Sequence, residues 1–278
     1  MALQTKTLLR RRTIPLAAAI GVSIIYLTYL WQFGDTAHWG MSVIFGAAIF
    51  TLLEDKPAIA ARPSPAAVGL GAVILVALVA LSLPWSTNEI YVRMMPLVGG
   101  VGVALLAAGF GGLTIYRQEL VLLFFLSVPR VIFSLVQDIS PITARFSAVL
   151  LWYIGYDPEV EGVFLTLQER TVRVWEGCSG AESICYMIGI AVVCLTLYPM
   201  AGRLLQSLSV AIAAVLGFLV NAMRVALMAI LVMRGNMDGF IFWHEGTGSL
   251  VFGGASVALF GLLYWLALKP LSPQSSQG

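Results

Sequence analysis

Cys178, Arg224 and His244 are the three residues of this chain whose types and settings suit covalent chemistry. Cys178 stands in Glu176-Gly177-Cys178-Ser179-Gly180, where an apolar run begins. Backbone N–H groups in the first turn of a helix lack intrahelical partners, and the helix dipole is positive there. Both features favour a thiolate and offer donors to an oxyanion. Gly177 and Gly180 leave room for a substrate backbone to approach. A free cysteine is also a common small buried residue, so Cys178 alone decides nothing. Arg224, in Asn221-Ala222-Met223-Arg224, interrupts another apolar run. A charge inside a membrane helix costs about 2.5–3.5 kcal/mol on insertion scales and by default points to function, unless the side chain snorkels outward. Asn221 lies nearly one turn earlier on the same face and could orient the guanidinium. His244 opens the last apolar run in Trp243-His244-Glu245-Gly246-Thr247-Gly248. Taken singly, it reads equally as an aromatic-packed interfacial histidine.

The elements that must position these residues are membrane helices. The chain has 278 residues, 59% hydrophobic and only 11% charged. A soluble domain carries roughly 25% charged residues, so most of this surface must face lipid. Runs long enough to span fall at about 14–33, 39–53 (short), 66–84, 91–113, 119–137, 178–199, 204–233 and 245–267. The fold class is therefore all-α: a polytopic transmembrane helix bundle of about eight spans, one integral membrane domain over 1–268 with a short disordered tail, 269–278. Lys6, Arg10, Arg11 and Arg12 precede the first run, which reaches Phe33 without a small-residue cleavage site; it reads as a retained helix. Lys56, Arg62, Arg117, Arg203 and Lys269 fall on the side of the N-terminus, while 34–38 and 85–90 carry no Lys or Arg. The positive-inside rule then puts both termini in the cytoplasm of a plasma-membrane protein.

The long connection 138–177 is the exception. Its first part, Pro141 to Tyr153, suits an amphipathic interfacial helix. From Val160, two β-branched or aromatic runs flank Gln168-Glu169-Arg170 and suggest a hairpin that leads directly into Cys178. Its open edges exclude it from lipid, so it belongs at the extracytoplasmic surface.

This topology brings Cys178, Arg224 and His244, on three successive spans, to one outer level. That arrangement suits attack of a thiolate on a carbonyl, with the histidine as base or orienter and the arginine holding the thiolate or the oxyanion. Glu182, a turn below Cys178, could pair Arg224, tune His244 or act as a helix-start anion. Arg130, after Pro129 in the fifth run, is a candidate for a substrate carboxylate or for Glu182. Cys185 is seven residues past Cys178, about 10 Å along a helix and beyond disulfide reach, so it and Cys194 read as packing residues. His38, beside Trp39, reads as interfacial. No Cys/His spacing suits a metal, no cofactor is implied and nothing suggests nucleic acid.

A Cys-Ser-Gly at the outer start of one span, an Asn-x-x-Arg in the next, and a His before a glycine-rich final span resemble the exosortase/archaeosortase family. The separations, 46 residues from Cys178 to Arg224 and 20 to His244, fit its layout. The resemblance covers roughly 170–265; the earlier helices agree in hydropathy and number. It departs before the cysteine, where Glu176-Gly177 stands and many members have Ala; the glycine-preceded form resembles branches seen in cyanobacteria. The resemblance implies a multi-pass cysteine protease or transpeptidase, with Cys178 the nucleophile and Arg224 and His244 the other catalytic residues. Asn221, Ser179, Glu182, Gly177 and Gly180 would support them. It implies as partners exported proteins ending in a tripartite sorting signal: a short motif such as Pro-Glu-Pro, a transmembrane helix and a basic cluster. These are cleaved through a thioester and passed to a surface anchor. Two other readings of the chain are a transporter using Arg130 and Arg224 as pathway charges, which predicts pseudo-symmetric halves that are not seen, and a non-enzymatic assembly factor for exopolysaccharide export. A serine nucleophile fits poorly, because Ser179 and Ser183 lack a Gly-x-Ser-x-Gly turn.

Overall fold

The computed structural model describes residues 2–54, 56, 63–136, 138–244 and 248–268. The tail 269–278, Arg62 and Glu245 to Thr247 lie outside the described residues. The chain divides into two compact units, residues 1–136 and 137–278.

The first unit holds α1 (Ala2–Phe33), α2 (Thr36–Glu54), α3 (Pro65–Ser82), α4 (Glu89–Ala108), α5 (Phe110–Ile115) and α6 (Arg117–Val136). The predicted run 91–113 is not one helix: it breaks at Gly109 (φ 67°), which separates α4 from α5. Val22, Tyr26, Leu30, Leu75, Leu78, Val92 and Met95 form its core between α1, α3 and α4. His38, expected to be interfacial, is fully buried. Its Nε2 meets the Tyr26 hydroxyl at 2.9 Å, and that hydroxyl also meets Ser42 Oγ at 2.8 Å. Arg93 Nη2 donates to Asp35 at 2.8 Å and Arg93 Nε to Glu89 at 2.8 Å. These contacts answer the cost of burying Arg93, because a charge removed from water must be paired and hydrogen-bonded. Lys56 and Glu119 pair likewise at 2.6 Å.

The second unit holds α7 (Ser140–Tyr153), strands β1 (Pro158–Glu161), β2 (Phe164–Leu167) and β3 (Arg170–Arg173), a 3-10 turn Glu176–Cys178, then α8 (Ala181–Leu197), α9 (Arg203–Met233), α10 (Met237–His244) and α11 (Gly248–Leu268). Among the described residues, seven helices are long and apolar enough to cross a membrane: α1 to α4, α8, α9 and α11. The remaining expected span is α6, whose 20 residues carry Arg117, Glu119 and Arg130. The protein is a multi-pass, all-α membrane bundle.

α7 packs along α9 rather than standing apart from the bundle. Phe146 meets Phe218 edge-on at 5.4 Å, and Ser147 Oγ donates to the Ala222 carbonyl at 3.0 Å. The expected hairpin is present as β2 and β3. Its first run, however, is split by a turn at Gly162-Val163, so that β1 adds a third antiparallel strand in the order β1-β2-β3. Leu165 and Leu167 point from β2 into a core shared with Ala148 and Leu151 of α7 and Val225, Met228 and Ala229 of α9. The outward Thr166 and Thr171 hydroxyls bond across the strands at 2.9 Å. This alternation is what a sheet with one face buried requires.

Both two-residue turns place their first residue in the left-handed region, Gly162 at φ 59° and Gln168 at φ 57°. A side chain there costs about 1–2 kcal/mol. Gly162→Ala should therefore lower, and Gln168→Gly raise, the thermal unfolding midpoint of the detergent-solubilised protein. Unchanged midpoints for both would show that these turns do not set the strand pairing.

Candidate active site

Cys178 closes the 3-10 turn that follows β3, and α8 begins only at Ala181. The expectation that free helix-start amides surround the thiol needs correcting. Cys178 N–H donates to Trp175 O at 2.8 Å and Ser179 N–H to Glu176 O at 3.1 Å. The tight turn consumes both of these donors. Ser179 is a buried cap: its Oγ donates to Glu176 O at 2.7 Å and accepts from Ala181 N–H at 3.3 Å. Its carbonyl accepts Thr143 Oγ1 from α7 at 2.5 Å.

Gly180 has φ 87°, a conformation that suits glycine, and it lets the chain turn from the 3-10 segment into α8. The space its Cβ would occupy is taken by the Asn221 amide, 2.8 Å away. The close approach expected of a substrate at Gly180 is thus made by the chain itself, and Gly177 lies similarly against the Trp175 ring. Asn221 Nδ2 donates to the Cys178 carbonyl at 2.8 Å. Asn221, expected to orient Arg224, instead pins the main chain of Cys178.

His244 does not open the last span. It ends a separate short helix, α10, which the sequence reading missed because its eight residues fall between apolar runs. There its Nε2 lies 3.1 Å from Cys178 Sγ. Phe240, one turn earlier on α10, stacks on the imidazole at 5.2 Å between centroids and 11° between planes. Phe240 was not anticipated; its i, i+4 spacing from His244 becomes visible only once α10 is known to be helical.

Arg224 also differs from expectation. Its Nε donates to Trp243 O at 3.0 Å and its Nη2 to His244 O at 2.6 Å. The last carbonyls of a helix have no intrahelical partner and carry its negative dipole end, so a guanidinium is a natural cap. Arg224 thus grips the end of the helix that presents His244. Its Nη1 makes no hydrogen bond among the described residues, and Cys178 and Glu182 are close enough to act on its charge. Glu182 Oε1 accepts the Tyr186 hydroxyl at 2.8 Å. Arg130 belongs to α6 of the first unit, while Cys178, Asn221, Arg224 and His244 all belong to the second. Cys185 is buried and Cys194 partly so; neither is in a disulfide.

Sγ opens on a small cavity of about 20 Å³ lined by Val172 and Arg173 of β3, by Val174 just after it, and by Phe240 and His244 of α10. That is room for about one water molecule. A thiol within hydrogen-bond reach of an imidazole, in a mostly apolar recess, is the arrangement that activates a cysteine nucleophile.

The family described as transmembrane exosortase matches residues 31–261 of the chain. No curated protein and no solved structure matches it.

Asn221→Ala leaves the Cys178 carbonyl without its donor, which costs about 1–3 kcal/mol for a buried group. The unfolding midpoint should fall, and the rate of Cys178 alkylation by iodoacetamide in the folded protein should change. An unaltered midpoint and rate would show that Asn221 does not hold the loop.

Proposed function

The chain belongs to the transmembrane exosortase family, and we propose that it is a membrane cysteine transpeptidase or protease that cleaves the C-terminal sorting signal of exported proteins. The Cys178 Sγ to His244 Nε2 contact of 3.1 Å carries this reading. Cys178 is the nucleophile, and His244 is the base that takes its proton. Sγ attacks the scissile carbonyl, the carbonyl oxygen becomes an oxyanion, and the C–N bond breaks as His244 returns the proton to the leaving amine. The exported protein is left as a thioester on Cys178, while the apolar tail stays in the bilayer. An amine of the surface anchor, or water, then attacks the thioester and frees the thiol.

Arg224 serves this cycle in two ways. Nε and Nη2 fix the end of α10 and with it the imidazole, and Nη1 is the candidate donor to the oxyanion that the closed 3-10 turn does not supply. The distribution of Lys and Arg supports a plasma-membrane orientation with both termini cytoplasmic and this site at the extracytoplasmic face. The substrate helix enters laterally from lipid, and its signal is of the tripartite kind with a motif such as Pro-Glu-Pro. Arg130 is a candidate contact for a substrate carboxylate.

Cys178→Ala should abolish processing of a co-expressed protein bearing such a signal, and a thioester at Cys178 should be trappable with the wild-type enzyme. Full processing by Cys178→Ala would overturn the assignment. Arg224→Ala should reduce kcat by at least about 100-fold, the cost typical of losing an oxyanion donor. Arg224→Lys should recover only part of this, because one ammonium cannot bridge two carbonyls as a guanidinium does. Full activity of Arg224→Lys would exclude the bridging role.

A further inference from the structure

β3 is an edge strand. The order β1-β2-β3 leaves one side of β3 without a partner strand. Val174 N–H donates to Val163 O at 2.9 Å, and antiparallel partners alternate between bonded and non-bonded pairs. In the register Leu165↔Val172 and Phe164↔Arg173, Val172 therefore faces β2, whereas Thr171 and Arg173 direct their N–H and C=O groups to the free edge. Both residues are exposed, and these groups have no partner among the described residues. Sheet edges of this kind are templates for another strand, and proteins usually block them with a bulge, a proline or a covering element. This edge is short and carries Arg170 and Arg173, but among the described residues it has no bulge and no proline, and it faces α10 across the cavity that holds Cys178 Sγ and His244. Four residues separate Arg173 from Cys178 along the chain.

We propose that β3 binds the substrate by strand addition: the extended segment just before the scissile bond pairs with the Thr171–Arg173 edge as a fourth strand, with an acidic side chain against Arg173. This rests on the cysteine-transpeptidase reading above and names the subsite that reading leaves open. Direction follows from connectivity. β3 runs toward Cys178, so only a segment parallel to β3 brings its C-terminal end, and hence its scissile carbonyl, to the thiol. The charge preference follows from Arg173, which borders the cavity, is exposed, and makes no ion pair or hydrogen bond among the described residues. Arg170, by contrast, is engaged, with its Nη1 on the Val232 carbonyl at 3.3 Å. In a parallel pair every second amide of the added strand donates to the edge, while main-chain bonds give affinity and alternate side chains give specificity.

The test uses the full chain in detergent and acetylated pentapeptide chloromethyl ketones, whose chloromethyl carbon alkylates the Cys178 thiolate with loss of chloride. A single Glu is walked through the peptide. One position should give alkylation at least tenfold faster than Lys at that position, and Arg173→Glu should invert the order. N-methylation should slow alkylation at least tenfold at alternate peptide amides and little at the intervening ones. Thr171→Pro removes an outward amide that β2 does not use; it should slow the peptide reagents but not iodoacetamide, whose unchanged rate reports an intact fold. In Cys178→Ala, the unreactive peptide amide should slow hydrogen exchange at Thr171 and Arg173. Uniform sensitivity to N-methylation, or unchanged exchange at both residues at millimolar peptide, would overturn strand addition. Alternating sensitivity together with full processing by Cys178→Ala would sink the thiol mechanism instead and leave the β3 subsite standing.

Discussion

The site depends on one interaction, the guanidinium of Arg224 across the carbonyls of Trp243 and His244. Each side of this contact is costly alone. A buried cation needs acceptors, and the last carbonyls of a helix need donors that the helix cannot supply. Satisfying both at one point ties α9 to the end of α10 with a fixed geometry, since the two donors of a guanidinium lie in one plane. The consequence is positional. His244 sits where its own carbonyl is held, so its imidazole stays within 3.1 Å of a thiol that is 66 residues away in sequence. The nucleophile is fixed by a separate device, the Asn221 amide on its carbonyl, from a residue three positions before Arg224 on α9. One helix thereby sets both members of the pair.

The length of α9 makes this possible. Its 31 residues span about 46 Å at 1.5 Å per residue, against a hydrocarbon core of about 30 Å. Standing upright, about a third of it would project, and the three-stranded sheet tells which end. Sheet edges cannot face lipid, and Leu165 and Leu167 pack on the stretch from Val225 to Ala229, with Arg170 reaching Val232. Arg224, nine residues before the helix end, is about 14 Å from the projecting tip. With α9 upright, Arg224 would lie near the membrane boundary, where a charge costs less than at mid-depth.

The spans were legible because each is a long apolar run, and length and hydropathy are properties of single segments. The types of the site residues were legible for the same reason, since an arginine or a glycine-flanked cysteine stands out locally. Their roles were not. Arg224 caps a helix that begins thirteen residues later, and that helix is too short to show as a run of its own. The closed turn at Cys178 depends on hydrogen bonds to Trp175 and Glu176 that no spacing reveals. His38 looked interfacial beside Trp39 because its true partner, Tyr26, comes from another helix. Likewise, Arg93 carries a charge whose partner Asp35 is 58 residues away.

The two sides of the reactive pair differ in how firmly they are held. Cys178, Ser179 and Gly180 are all buried, and hydrogen bonds from Asn221 and Thr143 fix their main chain. α10 buries none of its residues fully, and it follows Gly235, whose φ is 71°. Elements with few buried contacts open at the lowest cost. A cavity of about 20 Å³ accepts water but not a peptide, so entry of any substrate chain must widen the gap between β3 and α10. Displacing the cysteine loop would uncover a packed core, whereas displacing α10 would break the two Arg224 contacts, the His244 contact to Cys178 and the Trp243 ring contact to Phe252. The same arginine that aligns His244 for reaction therefore sets how far α10 can yield before that alignment is lost.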